Sequence, residues 1–239
     1  MDHGSEARTE GTYRRAWASP PVLGLTVEKA PDGNDFIYVS THGQGQQQHG
    51  FIYKTTRDRL MATGEAHKPL WIYEAGKEVG PVESPSDSPG VYGSALLAEI
   101  EGEKYIYAIV GNWPDSTNSW LDPNRGWIVR VRANGPDGSE KQLPLKLGDK
   151  WYPAINCTMD ANGNIWINGG MSRPVENSGR ILRTDPELSE LVAISAGTLR
   201  RSGICEIVLG SNYLYAMSNP AWEGDEEEMP VIYKLGDKE

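Results

Sequence analysis

Two short patterns recur four times in the same order along this chain, and that recurrence restricts its fold more than any other feature. The first pattern is Phe36-Ile37-Tyr38-Val39, Tyr105-Ile106-Tyr107-Ala108, Asn164-Ile165-Trp166-Ile167 and Tyr213-Leu214-Tyr215-Ala216. Each copy is short, rich in aromatic and β-branched residues, and follows a turn containing Gly or Asn, as strands do. The second is Gly50-Phe51-Ile52-Tyr53-Lys54, Gly126-Trp127-Ile128-Val129-Arg130, Gly179-Arg180-Ile181-Leu182-Arg183 and Pro230-Val231-Ile232-Tyr233-Lys234. An opening Gly or Pro is followed two places on by Ile, and two places later by Lys or Arg.

Strand-like segments flank each pair. Before it come Val22–Glu28, Ser94–Ile100, Ala154–Met159 and Gly203–Leu209, rich in small residues. After it come Leu70–Tyr73, Gln142–Lys146 and Leu191–Ile194. The anchors Ile37, Ile106, Ile165 and Leu214 stand 69, 59 and 49 residues apart. Propeller blades repeat at about this period, with insertions falling in polar loops. The expected fold is therefore all-β: a four-bladed β-propeller of four-stranded antiparallel blades, in which residues 1–239 form a single domain. Residues 1–11 read as a disordered polar tail. The fourth repeat has no outermost strand of its own. Thr12-Tyr13-Arg14-Arg15-Ala16-Trp17, within residues 12–18, is expected to supply it and close the ring. A β-sandwich is the structural alternative, but it leaves the fourfold order unexplained.

The formal net charge of -10 argues against a nucleic-acid partner. No apolar run is long enough to span a membrane, so none is expected as a partner. The first residues lack the apolar stretch of a secretory signal, so the expected location is cytoplasmic, or secreted with the signal already removed.

In such blades the connections between strands two and three share one end with the linkers between blades. Both sets are long here, whereas the one-to-two turns are tight. Binding residues concentrate on long loops held by a rigid scaffold. The expected ligand-binding set is His42, Gln44, Tyr92, Asn112, Trp113, Trp120, Tyr152, Asn168, Met171, Arg201, Asn219 and Trp222. Tyr92, Tyr152 and Arg201 precede their repeat anchors by nearly equal spacings and are expected to ring the axis at one height, although packing at blade junctions would equally account for the two tyrosines. His42, Tyr92, Tyr152 and Arg201 are the candidates for acid/base chemistry. The four loops differ from one another, which points to one asymmetric site rather than four equal ones.

No zinc, phosphate-loop or nucleophile-elbow signature occurs, and no metal site is assigned. No cofactor is evident, although a divalent cation has a conceivable place at Asp160-Ala161-Asn162-Gly163-Asn164. That segment lacks the closing Glu of a calcium loop and reads as a plain turn. Glu28, Glu99, Asp160 and Glu206 read as carboxylates at strand ends. Cys157 and Cys205 fall on innermost strands of adjacent blades, either as buried free thiols or as a staple between them.

Met159-Asp160-Ala161-Asn162-Gly163-Asn164-Ile165-Trp166-Ile167, leading to Gly179-Arg180-Ile181-Leu182-Arg183, resembles the repeat of streptogramin-lyase-like and gluconolactonase-like propellers. The resemblance covers the blade skeleton and implies the propeller fold. Those families usually carry six or seven blades, and the gluconolactonase-like enzymes hold an axial metal on Glu, Asn and Asp. That ligand set has no residue-by-residue counterpart in this chain. The expected function is binding of one small organic or sugar-like ligand, with lyase-, isomerase- or hydrolase-type chemistry as the enzymatic form. The alternatives are a protein-interaction propeller using Trp113, Trp120 and Trp222 as anchors, and a carbohydrate-binding lectin.

Overall fold

The computed structural model describes residues 22–41, 50–63, 68–75, 89–112, 126–152, 154–169, 181–194, 204–210, 213–218 and 232–237. Among these residues the chain is all-β apart from one five-residue helix. Strands β1 (Val22–Glu28), β2 (Phe36–Thr41), β3 (Phe51–Thr56) and β4 (Trp71–Glu74) form the first sheet in that order. Strands β5 (Pro89–Ile100), β6 (Glu103–Asn112), β7 (Gly126–Arg132) and β8 (Lys141–Pro144) form the second. A two-stranded hairpin of β9 (Lys146–Leu147) and β10 (Lys150–Trp151) follows. The third sheet runs β11 (Ala154–Met159), β12 (Ile165–Gly169), β13 (Ile181–Thr184) and β14 (Val192–Ile194). The last has three strands among the described residues: β15 (Ile204–Leu209), β16 (Tyr213–Ser218) and β17 (Ile232–Asp237). The chain forms two compact units, one of residues up to 115 with 129–140 and one of residues 116–128 with 141–239.

The expected strands lie where the two repeated patterns put them, with two departures. The outer strand expected over Gln142–Lys146 stops at Pro144, and Lys146 belongs instead to the small hairpin with Trp151 opposite. Proline has no N–H for a ladder, and Gly148, at φ 62°, supplies the turn between Leu147 and Lys150. The second departure is helix α1 (Arg57–Met61), inserted between β3 and β4. Thr56 caps it by accepting a 3.3 Å hydrogen bond from the Arg59 amide, and Asp58 stands in its first turn. The closing strand expected from Thr12 to Trp17 lies outside the described residues.

Each sheet carries the same charge-on-aromatic contact, and it accounts for both repeated patterns. Residues directly opposite in an antiparallel pair project to the same face. In the first sheet that rule sets Thr26, Tyr38, Lys54 and Trp71 in one row across four strands. The Lys54 ammonium stands 4.0 Å from the Phe36 ring centre and 5.1 Å from that of Tyr38. In the second sheet the Arg130 guanidinium stands 4.5 Å over Tyr105, and in the last Lys234 stands 3.5 Å over Tyr213. The third sheet has Asn164 where the others have Phe36, Tyr105 and Tyr213, and there Arg183 lies 5.8 Å over Trp166 instead. The residues between, such as Ile37 and Val39, face the other way and build the opposite, aliphatic side with Phe51 and Tyr53.

Within the first unit the aromatic face of the first sheet meets the second sheet. The Thr26 hydroxyl donates to the Ala95 carbonyl of β5. Beyond β7, the Ala133 carbonyl accepts from both Lys54 Nζ at 3.0 Å and Trp71 Nε1 at 3.1 Å. Glu28, at the end of β1, accepts from Lys104 Nζ at 2.6 Å and from the Tyr38 hydroxyl at 2.6 Å, and lies 3.8 Å from Lys54. Burial pulls the Glu28 carboxyl upward, but the hydrogen bonds from Lys104 and Tyr38 and the Lys54 charge outweigh it and hold the group below its ordinary value. Burial acts the other way on Lys54, lowering its ammonium despite the Glu28 charge. In the second unit Trp166 and Ile181 of the third sheet pack on Ile207, Leu214 and Ala216 of the last. There the aromatic face of one sheet packs against the aliphatic face of the next.

Lys54→Met keeps the stem and removes the charge, while the Ala133 carbonyl keeps Trp71 and Glu28 keeps Lys104. The expected loss is about 1–3 kcal/mol in chemical denaturation, with no change of secondary structure by circular dichroism. Glu28 contributes stability that is complete above its ordinary value of 4.5 and is lost as pH falls through its depressed folded value. Urea titrations of the wild type below that pH should show this loss. Glu28→Gln should cost roughly 2 kcal/mol at neutral pH and flatten the acid limb. An unchanged limb would remove Glu28 from the account.

Candidate functional site

The four sheets present one shared feature at the end from which the long loops leave. There the end of each second strand lies opposite the start of the first: Thr41 opposite Val22, Asn112 opposite Pro89, Gly169 opposite Ala154, and Ser218 opposite Ile204. Each first strand carries a register shift just inside that end, between Val22 and Gly24, Tyr92 and Leu96, Ala154 and Asn156, and Ile204 and Glu206. Such bulges bend a strand and re-aim its residues, and they are frequent beside binding sites. Sequence reasoning missed all four. Gly24 and Gly93, glycines inside strand patterns, were the signal for two of them.

Pairing register, rather than counting along the chain, decides which residues correspond between sheets. Val91 lies opposite Val110 and Ala154 opposite Gly169, each four residues past the anchors Ile106 and Ile165. By register Tyr92 therefore comes after the position of Ala154, whereas Tyr152 comes before it. Counting along the chain made the two tyrosines equivalent because the β5–β6 hairpin runs further past its anchor than β11–β12 does, with Leu97 opposite Ile106 but Met159 opposite Ile165, and because the shift in β5 holds one residue more.

Of the expected binding residues, Tyr92 and Asn112 lie in β5 and β6, Asn168 in β12, and Tyr152 just before β11. Asn168 is buried, with Asn156 opposite it on β11 and Ile181 on β13. Tyr152 is also buried; its amide donates to the Leu145 carbonyl and its carbonyl accepts from the Ala154 amide. Both sit at the loop-bearing end, packed among their neighbours. His42, Gln44, Trp113, Trp120, Met171, Arg201, Asn219 and Trp222 lie outside the described residues. So do the loops 42–49, 113–125, 170–180 and 219–231 that carry most of them.

The opposite end of the sheets is built of closed turns. The Gly33 amide donates to the Ala30 carbonyl and the Gly163 amide to the Asp160 carbonyl, both at 3.0 Å. Each glycine has a positive φ, as this tight reversal requires. The Asp160 carboxylate accepts from the Asn162 and Asn164 amides, from Asn164 Nδ2 and from Trp166 Nε1, all within 3.0 Å. Burial raises the Asp160 carboxyl, and these donors outweigh it and lower it. Its oxygens are thus engaged in holding the turn. Among the described residues no group of three or more His, Cys, Asp or Glu is gathered as a metal ion would need. No described helix is long and apolar enough to cross a membrane.

Cys157 is a free, buried thiol, and burial pushes its pKa up to about 12. The side chain of Cys205, at the register shift of β15, lies outside the described set.

No protein-family model matches the chain, and no curated protein matches it. Among solved structures it is similar to a protein of unknown function from Bacteroides caccae, with 15% identity over 92% of this chain and 69% of that one, at a TM-score of 0.43. A likeness of that size carries no argument about fold or activity.

A thiol held so far above neutral pH is not a nucleophile in the folded protein. A maleimide probe at neutral pH should leave Cys157 unlabelled in the native state and label it fully in urea, as read by peptide mass mapping. Native labelling at Cys157 would contradict its burial.

Proposed function

We propose that the chain is a four-bladed β-propeller that binds one small organic or sugar-like ligand at the end where its long loops gather. The observation that carries this reading is the coincidence, in all four sheets, of a first-strand bulge with the origin of a long second-to-third-strand loop. The other end is closed by short turns whose polar groups are already engaged, which leaves little there for a ligand to satisfy.

The loops supply unlike chemistry: His42 and Gln44 from the first, Asn112, Trp113 and Trp120 from the second, Met171 from the third, and Asn219 and Trp222 from the fourth. Aromatic walls with a few placed polar groups are the usual make-up of a small-molecule pocket. The buried Asn168 and Tyr152 give that end a firm base. Arg201 adds a fixed positive charge suited to a carboxylate or a polarised hydroxyl. Acid/base chemistry, where it occurs, falls to His42 with Tyr92, Tyr152 or Arg201.

The test is a thermal-shift screen of sugars, sugar acids and small polar carboxylates, followed by titration calorimetry on any stabilising compound. Trp113→Ala and Arg201→Ala should each weaken binding about tenfold or more, the effect of losing roughly 1.4 kcal/mol. Asp32→Ala, in the short turn before β2, should leave it unchanged. Binding that ignores both loop variants and responds to Asp32→Ala would move the site to the other end.

A further inference from the structure

The described residues contain three Asn-Gly pairs: Asn134-Gly135, Asn162-Gly163 and Asn168-Gly169. Such a pair carries its own chemistry, because glycine has no side chain to shield its amide nitrogen from the preceding carboxamide. The three stand in different surroundings. Asn168 is buried in β12, between Asn156 of β11 and Ile181 of β13. Asn162 is exposed, but its amide and that of Asn164 both donate to the Asp160 carboxylate at 2.9 Å. The Gly163 amide donates to the Asp160 carbonyl at 3.0 Å. The nitrogen that would attack thus lies between two amides fixed by one carboxylate, whose charge also opposes loss of the Gly163 proton.

Asn134 is held far less. It is exposed, follows β7, and makes no hydrogen bond of its own to a described residue. Its turn is closed by the Gly135 amide, which donates to the Arg132 carbonyl at 3.0 Å. Charges of both signs surround it: the Lys54 ammonium on the Ala133 carbonyl, and Arg132 paired with Asp137 and Glu103. The turn also lies against Trp71, since a Cβ at position 135 would stand 3.4 Å from the indole Cδ1.

We propose that Asn134 is a site of spontaneous deamidation in the folded protein, and that the change loosens the junction of the first two sheets. The Gly135 nitrogen gives its proton to solvent base and bonds the side-chain carbonyl carbon of Asn134. The carbon–nitrogen bond of the carboxamide breaks, ammonia leaves with a proton from solvent, and a five-membered imide remains. Water opens that ring on one side to aspartate and on the other to isoaspartate, whose main chain runs through the former side chain. The imide has no N–H, so the bond to Arg132 is lost. The isoaspartate form lengthens the backbone by one carbon directly after Ala133, whose carbonyl accepts from both Lys54 and Trp71. The inference is independent of any ligand site.

The test is incubation of the native full chain at mildly alkaline pH, followed by peptide mass mapping. Isoaspartate is read separately by an isoaspartate carboxyl methyltransferase with labelled S-adenosylmethionine. Position 134 should convert about tenfold faster than position 162, the ratio that about 1.4 kcal/mol of extra restraint imposes. Position 168 should stay intact, and in urea, where no turn survives, the lead of position 134 should disappear. Native conversion of Asn162 or Asn168 level with or ahead of Asn134 would overturn the assignment. So would an Asn134 that converts in urea alone. The aged wild type should unfold at lower urea concentration than the fresh protein, whereas Asn134→Gln, whose longer side chain closes its ring far more slowly, should keep its midpoint. An equal loss in both would remove the junction from the proposal.

Discussion

A cation held over an aromatic ring, repeated in each of the four larger sheets, is the contact around which these sheets are organised. Lys54, Arg130, Arg183 and Lys234 each come from a third strand and each lie over a ring from the second. Where the cation is buried, as Lys54 and Arg130 are, the ring face substitutes for part of its lost hydration. The arrangement also gives each sheet two unlike sides. One side offers cations over rings; the other offers mainly Ile, Val, Leu and Ala, joined in the first sheet by Phe51 and Tyr53. The packing of Trp166 and Ile181 on Leu214 and Ala216 joins the two kinds of side. Two aliphatic sides would lack the polar locks seen around Glu28 and Ala133, and two charged sides would repel.

Glu28 shows how tightly such a junction is drawn. Its carboxylate collects a lysine from the second sheet, a tyrosine from its own sheet, and a more distant buried lysine. Removing it leaves the buried Lys54 near Lys104 without the carboxylate that lies between them. Asp160 occupies the matching strand end in the third sheet but solves a different problem, since all its partners lie in its own hairpin. One position in the repeat thus serves as an inter-sheet lock in one sheet and as a turn clamp in another.

The strands were legible because period, aromatic content and turn residues agreed at each repeat. β1 and β11 begin and end where the residues placed them, and the other strands differ by a few residues at their ends. The Lys or Arg that closed the second pattern was legible as a repeat, but its partner was not, since a ring two residues off the direct pair depends on side-chain lean rather than on spacing. The bulges were hidden for a related reason. An extra residue in a strand leaves composition unchanged and alters only register, and together with the longer β5–β6 hairpin it let nearly equal counts conceal unequal positions for Tyr92 and Tyr152. Pro144 was visible in the sequence as a ladder breaker and was overridden by the hydrophobic run around it.

The repeated sheets and the unrepeated loops divide the work between them. In the first sheet Thr26, Lys54 and Trp71 each reach a carbonyl of the second, and in the third sheet, where Asn164 replaces a ring, the cation lies over Trp166 instead. The sequences between second and third strands do not repeat: one holds a histidine pair, another tryptophans and a third an acidic run. A lectin-like protein with equal sites would instead need the same loop four times, and the sequence keeps its repetition for the strands.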